Sequence, residues 1–393
     1  MDTLTHGLLG AATAQLGFRQ RIGGGATWAA AATAMLVDLD MLVRPILRLA
    51  GVEPDGYAAI GYHRGLSHSL LLAPVIALLV AWLWHRAGGG VPPAQVKPGP
   101  LVDKVTHPEV AAKALAQSAS PEPKGPSFAL RYLCLLVAAV IHPVLDWCTS
   151  YGTEILAPVT NVRYALDVVP IIDIIYTPIL ILTLLACYAA RKLGADGAQR
   201  ATLVIGWTGF ILSVGYLVAG RVMHDRAADR ALQLASQTGV LARSGPHQGA
   251  KVNAYPYVGT IFLWRTTVET PKSWMAARIR PLRELDARDV PHNVIRKVSN
   301  VWISRAERLE EIQAFTRFAM DQTRATYKRM SGRHVVEFHD MRYGVRPEST
   351  ESLWPTRVTF DRTGKLLSVE RIRHFGLRGR RRMLKKVWEE IWR

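Results

Sequence analysis

Long apolar windows in the first 220 residues restrict this chain more than any other feature. A helix needs about 20 apolar residues to cross the roughly 30 Å hydrocarbon layer of a membrane. A shorter apolar stretch at 4–18 follows Asp2 rather than a basic segment, so it does not resemble a signal peptide and counts as a sixth membrane-embedded helix. The long windows lie at about 26–47, 69–85, 128–147, 168–190 and 203–220. We expect a multipass α-helical membrane domain with five to six membrane helices; a large soluble helical core is the alternative.

The balance of charge divides the chain into two parts. Residues 1–220 hold 15 basic and 13 acidic side chains, whereas 221–393 hold 34 and 18. The second part alternates polar and apolar residues over short runs, which predicts strands at 257–269, 335–343, 358–360 and 366–373 and a helix at 306–328. We therefore expect a helical membrane domain at 1–220, with a flexible loop at 88–127, followed by a smaller α+β soluble domain at 221–393 with a basic amphipathic tail from Gly376.

The lysines and arginines between the apolar windows predict an orientation. Eleven of them lie on one side of the expected membrane domain and four on the other. Cytoplasmic loops carry an excess of Lys and Arg, so the richer side is expected to be cytoplasmic. We expect the protein to lie in the inner (cytoplasmic) membrane.

Ionisable residues interrupt the apolar half at positions where they are costly. A charged group at the centre of a membrane helix costs on the order of 2.5–3.5 kcal/mol, so such groups pair, line a cavity or do chemistry. In the expected topology they collect at one face of the membrane, opposite the Lys-rich loops. They are His6, Asp38, Asp40, His63, His68, His142, Asp146, Asp167 and Asp173.

Histidine nitrogens and carboxylate oxygens together form a ligand set for zinc, manganese or iron. His142 and Asp146 are four residues apart and share one helical face, so they can converge on one ion. Asp38 and Asp40 point in different directions on a helix, so one is expected to bind the ion while the other orients a neighbour. His63 and His68 fit a loop ligand and a ligand on the first turn of a helix.

Simpler explanations exist for single members of this set. His6 alone is equally well explained as a buried core residue. Asp167 fits a helix cap, and Asp173 fits an ion pair with Arg163. An ion or proton pathway is another use of such residues, but it predicts acids spread through the depth of the membrane.

Several separated motifs resemble those of a known family. DTLTHGLLGA at 2–11, DLD at 38–40, HRGLSHSL at 63–70 and HPVLDWCTSYGTEILAP at 142–158 resemble the YdjM-type inner-membrane metal-dependent hydrolases, over about residues 1–190. That family is distantly similar to the zinc-dependent phospholipase C and single-strand nuclease superfamily, whose metal clusters hydrolyse phosphate esters. The resemblance implies metal ligands at His6, one of Asp38 and Asp40, His63, His68, His142 and Asp146.

The resemblance, together with this ligand set, implies a hydrolase that uses water activated by a divalent metal, with zinc expected first and manganese or iron as alternatives. Asp40 is the expected general base if Asp38 is the ligand, and Arg64 is expected to hold an anionic group of the substrate. A lipid or lipid-linked phosphate ester is the expected substrate, and membrane lipids are expected partners. The alternative is a non-catalytic scaffold with a structural metal and a basic domain that binds lipid or a partner. No motif for nucleic-acid binding occurs in the sequence.

Overall fold

The computed structural model describes residues 1–51, 63–87, 125–194, 197–242 and 249–372. The expected flexible loop at 88–127 therefore lies almost entirely outside the described residues, and so does the expected basic tail. Within the described ranges the chain consists of a helical unit, residues 1–237, and a sheet unit, residues 249–372. We use these two names for the two parts below.

The helical unit contains eight α-helices among its described residues, and the sheet unit contains two. They are α1 Thr3–Ala14, α2 Phe18–Ile22, α3 Gly25–Leu36, α4 Val43–Leu49, α5 Ala73–Arg86, α6 Phe128–Trp147, α7 Tyr176–Lys192, α8 Ala198–Gln237, α9 Val301–Ala306 and α10 Glu310–Phe318. Short 3-10 turns at Val37–Leu42 and Leu66–His68 complete the helical unit.

The sheet unit has two four-stranded antiparallel sheets in its described residues, with strands in sequence order in each. The strands are β1 Lys251–Pro256, β2 Trp264–Glu269, β3 Ser273–Ile279, β4 His292–Arg296, β5 Thr323–Met330, β6 Arg333–Asp340, β7 Thr356–Phe360 and β8 Leu366–Arg371. The second half of α8 packs against the first sheet through Ala227, Ala231 and Leu234. In the second sheet, α9 and α10 bury Ile303 and Phe315 against the strands.

Two of the described helices, α6 and α8, are long and apolar enough to cross a membrane. The expected membrane domain with five to six membrane helices is therefore wrong. The helix α5 is apolar but has only 14 residues, so it extends about 21 Å at 1.5 Å per residue. It begins at Ala73, four residues after the start of the apolar window at 69–85. Pro74 lies in its first turn, where a residue without a backbone N–H is tolerated.

The other apolar windows are divided by their own polar residues and prolines. In the window at 26–47, α3 ends at Leu36 and the chain turns through the 3-10 segment that carries Asp38 and Asp40. In the window at 168–190, α7 starts only at Tyr176, because Asp173 accepts hydrogen bonds from the first backbone N–H groups of that helix. Hydrophobicity therefore extends further along the chain than helical structure does.

The helix expected at 306–328 is also wrong in part. The chain forms α9 and α10 there, and β5 then begins at Thr323. Met320 and Asp321 both have positive φ, 49° and 60°, which a right-handed helix does not allow, so the chain reverses at this point. The expected domain boundary at 220 lies inside α8, which is a single helix from Ala198 to Gln237.

Close packing in the helical unit places α3 and α6 side by side around α1. A Cβ atom on Gly10 would lie 2.6 Å from the Ala30 carbonyl oxygen, so α1 can approach α3 this closely only with glycine at that position. The end of α3 meets the end of α6, which carries His142 and Asp146, and the 3-10 segment that follows α3 carries Asp38 and Asp40.

Candidate metal centre

The last turns of α6 bring His142 and Asp146 to one helical face. The two side chains are fully buried, and His142 Nε2 lies 3.5 Å from Asp146 Oδ2. The carboxylate takes this position because positions i and i+4 are neighbours on a helix. The spacing therefore places two ligand types at one point.

Asp38 and His68 reach the same point from two short 3-10 turns. Asp38 Oδ1 lies 3.5 Å from His142 Nε2, and His68 Nε2 lies 3.3 Å from Asp38 Oδ1 and 3.2 Å from Asp146 Oδ2. In this group one ligand atom from each residue lies within 4.8 Å of the others. We call Asp38, His68, His142 and Asp146 the inner group. They are between 0% and 6% exposed.

The hydrogen bonding of His142 shows which of its nitrogens faces the inner group as an acceptor. Its Nδ1 lies 2.6 Å from the carbonyl oxygen of Ala34, so Nδ1 carries the proton and donates it. In the neutral ring Nε2 then has a free lone pair that faces two carboxylate oxygens. Among the described residues, His142 Nε2, Asp146 Oδ2 and Asp38 Oδ2 have no hydrogen-bond partner.

Acceptors that face one another in a buried site need a cation between them. Two imidazole nitrogens and two carboxylate oxygens form a donor set that suits zinc, manganese or iron. The backbone carbonyl that holds the second nitrogen of His142 is the usual outer support of a metal-binding histidine. The residues of the inner group therefore fit a divalent metal ion, and the group could hold one.

The pKa of His68 reflects the excess of negative charge. Burial alone lowers this pKa, but the neighbouring carboxylates of Asp146, Asp38 and Asp40 raise it to about 10. Burial alone would likewise raise the pKa of Asp38, whereas the neighbouring His142 and His68 rings hold it well below the usual range. The local field thus favours positive charge at this point.

Asp40, His63 and His68 form a second group that could hold a metal ion. Asp40 Oδ1 lies 3.0 Å from His63 Nδ1, and its Oδ2 accepts hydrogen bonds from Ser67 Oγ and the Arg64 backbone N–H. Asp40 Oδ2 also lies 3.3 Å from His68 Nδ1, so it supports the histidine that contributes Nε2 to the inner group. The His63 side chain is 24% exposed and forms the outer edge of the cluster.

His6 and Arg64 lie on the opposite oxygen of Asp146. His6 Nε2 is 3.0 Å from Asp146 Oδ1, and its ring stacks on His142 with the centroids 3.6 Å apart. Arg64 Nη2 donates to the same oxygen at 2.9 Å and Nη1 donates to Thr149 Oγ1 at 2.6 Å. Both side chains contact the cluster without joining the inner group, and their assigned roles stay predictions.

Asp167 and Asp173 lie outside both groups. Asp173 caps α7 and also accepts a hydrogen bond from the Tyr216 hydroxyl. Arg163, its expected partner, forms an ion pair with Glu154 and donates to the His63 carbonyl. Asp167 has a φ of 55°, and burial raises its pKa to about 6, against the opposing effects of Ser150 and of His224 on α8.

Several supporting groups were not identified from the sequence. The Ala34 carbonyl, which accepts the hydrogen bond from His142, belongs to the backbone, so no residue type in the sequence indicates it. Thr149 lies three residues after Asp146, about one helical turn further along the chain, and this spacing is the only sequence feature that points to it. Tyr151, which lies 4.7 Å from the Arg64 guanidinium, has no comparable signal.

The described residues thus combine two helices long and apolar enough to cross a membrane with a buried histidine and aspartate cluster that could hold a metal ion. This chain belongs to the YdjM inner membrane protein family, whose model matches residues 1–227. The family confirms the resemblance and agrees with the expected inner-membrane location. It does not extend the likeness to the phospholipase C superfamily. The sheet unit lies beyond the matched region.

No curated protein and no solved structure matches the chain.

Proposed function

We propose that this protein is a membrane-bound hydrolase that uses a divalent metal ion at the inner group to cleave a phosphate ester. One observation carries the proposal: four buried side chains from three separate segments place two nitrogen and two oxygen ligand atoms within 4.8 Å of one another. Zinc is the first candidate ion, and manganese and iron share the same ligand types. A divalent ion in such a site lowers the pKa of bound water to around 7 and stabilises negative charge on a phosphoryl oxygen.

The chain supplies its own groups for proton transfer. Asp40 accepts hydrogen bonds from Ser67 and the Arg64 backbone, so its carboxylate is fixed in position. His63 donates to that carboxylate through Nδ1, which leaves its Nε2 free to accept a proton at the most exposed edge of the cluster. Asp40, acting through His63 or directly, is the proposed general base.

Arg64 is proposed to act next to the ion. Its guanidinium is only 2% exposed and donates to Asp146, so it keeps that ligand ionised and oriented. A direct contact with an anionic substrate requires the substrate to enter the cluster itself. Replacing Arg64 with Ala is expected to raise the KM for an anionic substrate, and an unchanged KM would remove the substrate-binding role.

The surroundings of the cluster favour a lipid or lipid-linked substrate. Leu39, Met41 and Leu42 lie on the same short turn as Asp38 and Asp40, and each is about half exposed. Leu66 is 52% exposed beside Ser67. In an inner membrane protein these apolar side chains offer a surface for acyl chains next to the polar cluster.

A structural metal in a non-catalytic membrane scaffold is the second candidate. It is favoured by the burial of the inner group, because structural sites are closed by protein ligands whereas catalytic sites keep a position for water. The two candidates differ in whether a small ligand can reach the ion.

Metal content tests the site that both candidates share. We expect the detergent-purified full chain to contain close to one zinc, manganese or iron per molecule by mass spectrometry. His142→Ala and Asp146→Asn should lose it, while His85→Ala, a histidine outside both groups, should retain it. Retention of metal in His142→Ala, or no metal in the wild type after reconstitution with each ion, would overturn the proposal.

Access to the ion separates the hydrolase from the scaffold. In protein reconstituted with Co²⁺, inorganic phosphate is expected to change the visible absorption spectrum if a coordination position is open. We then expect the same preparation to hydrolyse a chromogenic phosphodiester. A spectrum that phosphate leaves unchanged, together with no turnover of phosphate esters, would favour the structural metal.

A further inference from the structure

A buried arginine of the sheet unit contacts the segment that follows α6, beside the metal centre. Arg342 follows β6 and forms a two-point ion pair with Asp340, through Nε at 3.0 Å and Nη2 at 2.8 Å. Its remaining terminal nitrogen, Nη1, donates to the backbone carbonyls of Ser150 and Tyr151, at 3.1 and 3.0 Å. The Arg342 and Asp340 side chains are both 0% exposed. The Nη1 contacts therefore join the sheet unit to the segment that follows α6, while the contacts with Asp340 hold the guanidinium within the sheet unit.

Phe318 of α10 supports the same segment. Its ring lies 5.1 Å from the Tyr151 ring and 4.9 Å from the Arg342 guanidinium. Gly152 also lies close to the sheet unit, because a Cβ atom there would meet Met320 Sδ at 3.0 Å. The position of residues 150–152 is thus set from the sheet unit.

This segment in turn holds Arg64. Thr149 Oγ1 accepts from Arg64 Nη1 at 2.6 Å, and the Tyr151 ring lies against the guanidinium at 4.7 Å and against the His63 ring at 5.4 Å. With these two contacts fixed, Arg64 Nη2 reaches Asp146 Oδ1 at 2.9 Å. The other oxygen of Asp146 then faces the inner group.

We propose that Arg342 is a positioning residue of the metal centre, which acts through residues 149–151 and Arg64 on Asp146. The proposal rests on the proposed metal site, and it extends that site beyond the region of the family match, which ends at residue 227. Buried ion pairs are weak contributors to stability compared with apolar packing, so the fixed direction of Arg342 Nη1 is the main effect of the Asp340 pair. The sheet unit is then part of the metal centre rather than an attached domain.

Cobalt affinity of the full chain in detergent tests this inference. Arg342→Lys keeps the charge but loses the fork that contacts Asp340 and two carbonyls together. We expect it to weaken Co²⁺ binding about tenfold and to shift the visible Co²⁺ spectrum, in the range found for outer supports of metal ligands. Phe318→Leu should weaken binding by a smaller factor.

Arg324→Lys is the matched control. Arg324 is a buried arginine of the same sheet unit, and it donates through Nε and Nη2 to the Thr350 carbonyl. Its replacement should cost a similar amount of thermal stability but leave Co²⁺ affinity and the spectrum unchanged. Equal losses of affinity in Arg342→Lys and Arg324→Lys would overturn the proposal.

A double-mutant cycle tests the route of the effect. In an Arg64→Gln background, the further change Arg342→Lys should produce no additional loss of Co²⁺ affinity. The Arg64 guanidinium, through which Arg342 is proposed to act on Asp146, is already absent in that background. A full additive loss would show that Arg342 acts by another route and would overturn the inference.

His142→Ala separates this inference from the proposed function. If His142→Ala binds Co²⁺ as well as the wild type, the metal site itself fails, and the role of Arg342 fails with it. If His142→Ala loses binding while Arg342→Lys does not, only the role of Arg342 fails.

Discussion

Both units of this molecule bury charged side chains, but they use them differently. In the sheet unit, Asp340 and Arg342 are paired at two points, and the third nitrogen of the arginine reaches two carbonyl groups. In the helical unit, His142 Nε2 and Asp146 Oδ2 lie 3.5 Å apart and neither has a hydrogen-bond partner among the described residues, and the same is true of Asp38 Oδ2. Burial of charge is common to both, so lone pairs without partners are the feature that indicates an ion site.

The comparison predicts the largest loss in the free energy of unfolding where a buried ion pair with all its hydrogen bonds formed, Asp340 with Arg342, is broken. Asp340→Ala leaves the Arg342 guanidinium buried without its carboxylate, and removing one member of such a pair costs about 3–5 kcal/mol. Thermal unfolding followed by circular dichroism should show this loss with or without added metal. Asp286→Ala, in an exposed pair with Arg288, should leave the midpoint nearly unchanged. An equal effect of the two changes would contradict the comparison.

The inner group should instead show stability that depends on metal. Zinc at about 100 times its Kd is expected to stabilise the wild type by about 2.7 kcal/mol, because it binds the folded state. Asp38→Asn should abolish most of this gain, measured for each protein as the difference in unfolding free energy with and without zinc. Asp225→Asn, on the exposed part of α8, should keep the full gain. A metal-dependent shift that survives in Asp38→Asn would exclude this carboxylate as a ligand.

Asp167 offers a pH test at the boundary between the units. Burial raises its pKa from 3.8 to about 6, against the opposing effects of Ser150, of His224 and Arg221 on α8, and of Arg342. The folded state therefore keeps a proton that the unfolded state releases, so stability falls as the pH rises from about 4 to about 6 and stays lower above that range.

Asp167→Asn should remove this loss and raise the stability at pH 8 by on the order of 1–3 kcal/mol relative to the wild type, with little difference at pH 4. Asparagine also tolerates the positive φ of this position. Thermal midpoints of both proteins across this pH range give the measurement. A constant difference at every pH would mean that the carboxyl does not titrate in this way.

The smallest expected effect is at a helix cap of the sheet unit. Asn300 Oδ1 accepts from the backbone N–H groups of Trp302 and Ile303 at the start of α9. Asn300→Ala should cost about 1 kcal/mol, and Asn300→Asp should retain most of the stability. Neither variant should change metal content, because the cap contacts only its own helix. A change in metal content would show that the second sheet is coupled to the cluster more widely than through Arg342 and Phe318.

The site was more predictable from the sequence than the helical unit was. The i, i+4 spacing of His142 and Asp146 is a local geometric property, so it predicted their shared face correctly. Charged residues in apolar surroundings also pointed to Asp38 and His68. The contacts of Arg64 with Thr149 and Tyr151 depend on positive φ at residue 64 and on the chain after α6, which no spacing in the sequence shows.

The number of membrane helices was predicted wrongly because composition does not define where a helix ends. The 3-10 turn at Val37–Leu42 and the cap at Asp173 divide apolar windows that hydropathy alone joins. In the sheet unit, β2, β6, β7 and β8 overlap the predicted strands, whereas β1, β3, β4 and β5 were not predicted. The alternation is weak in β3, where four consecutive residues are buried, because this central strand is covered on both faces.

The continuity of α8 has a mechanical consequence. Its 40 residues extend about 60 Å, and they run without interruption from an apolar window into the core of the first sheet. Such a helix acts as a lever: a change of about 10° in its tilt, of the kind that bilayer thickness imposes, moves its far end by about 10 Å. A change in the tilt of α8 would therefore displace the first sheet, which packs on the second half of this helix.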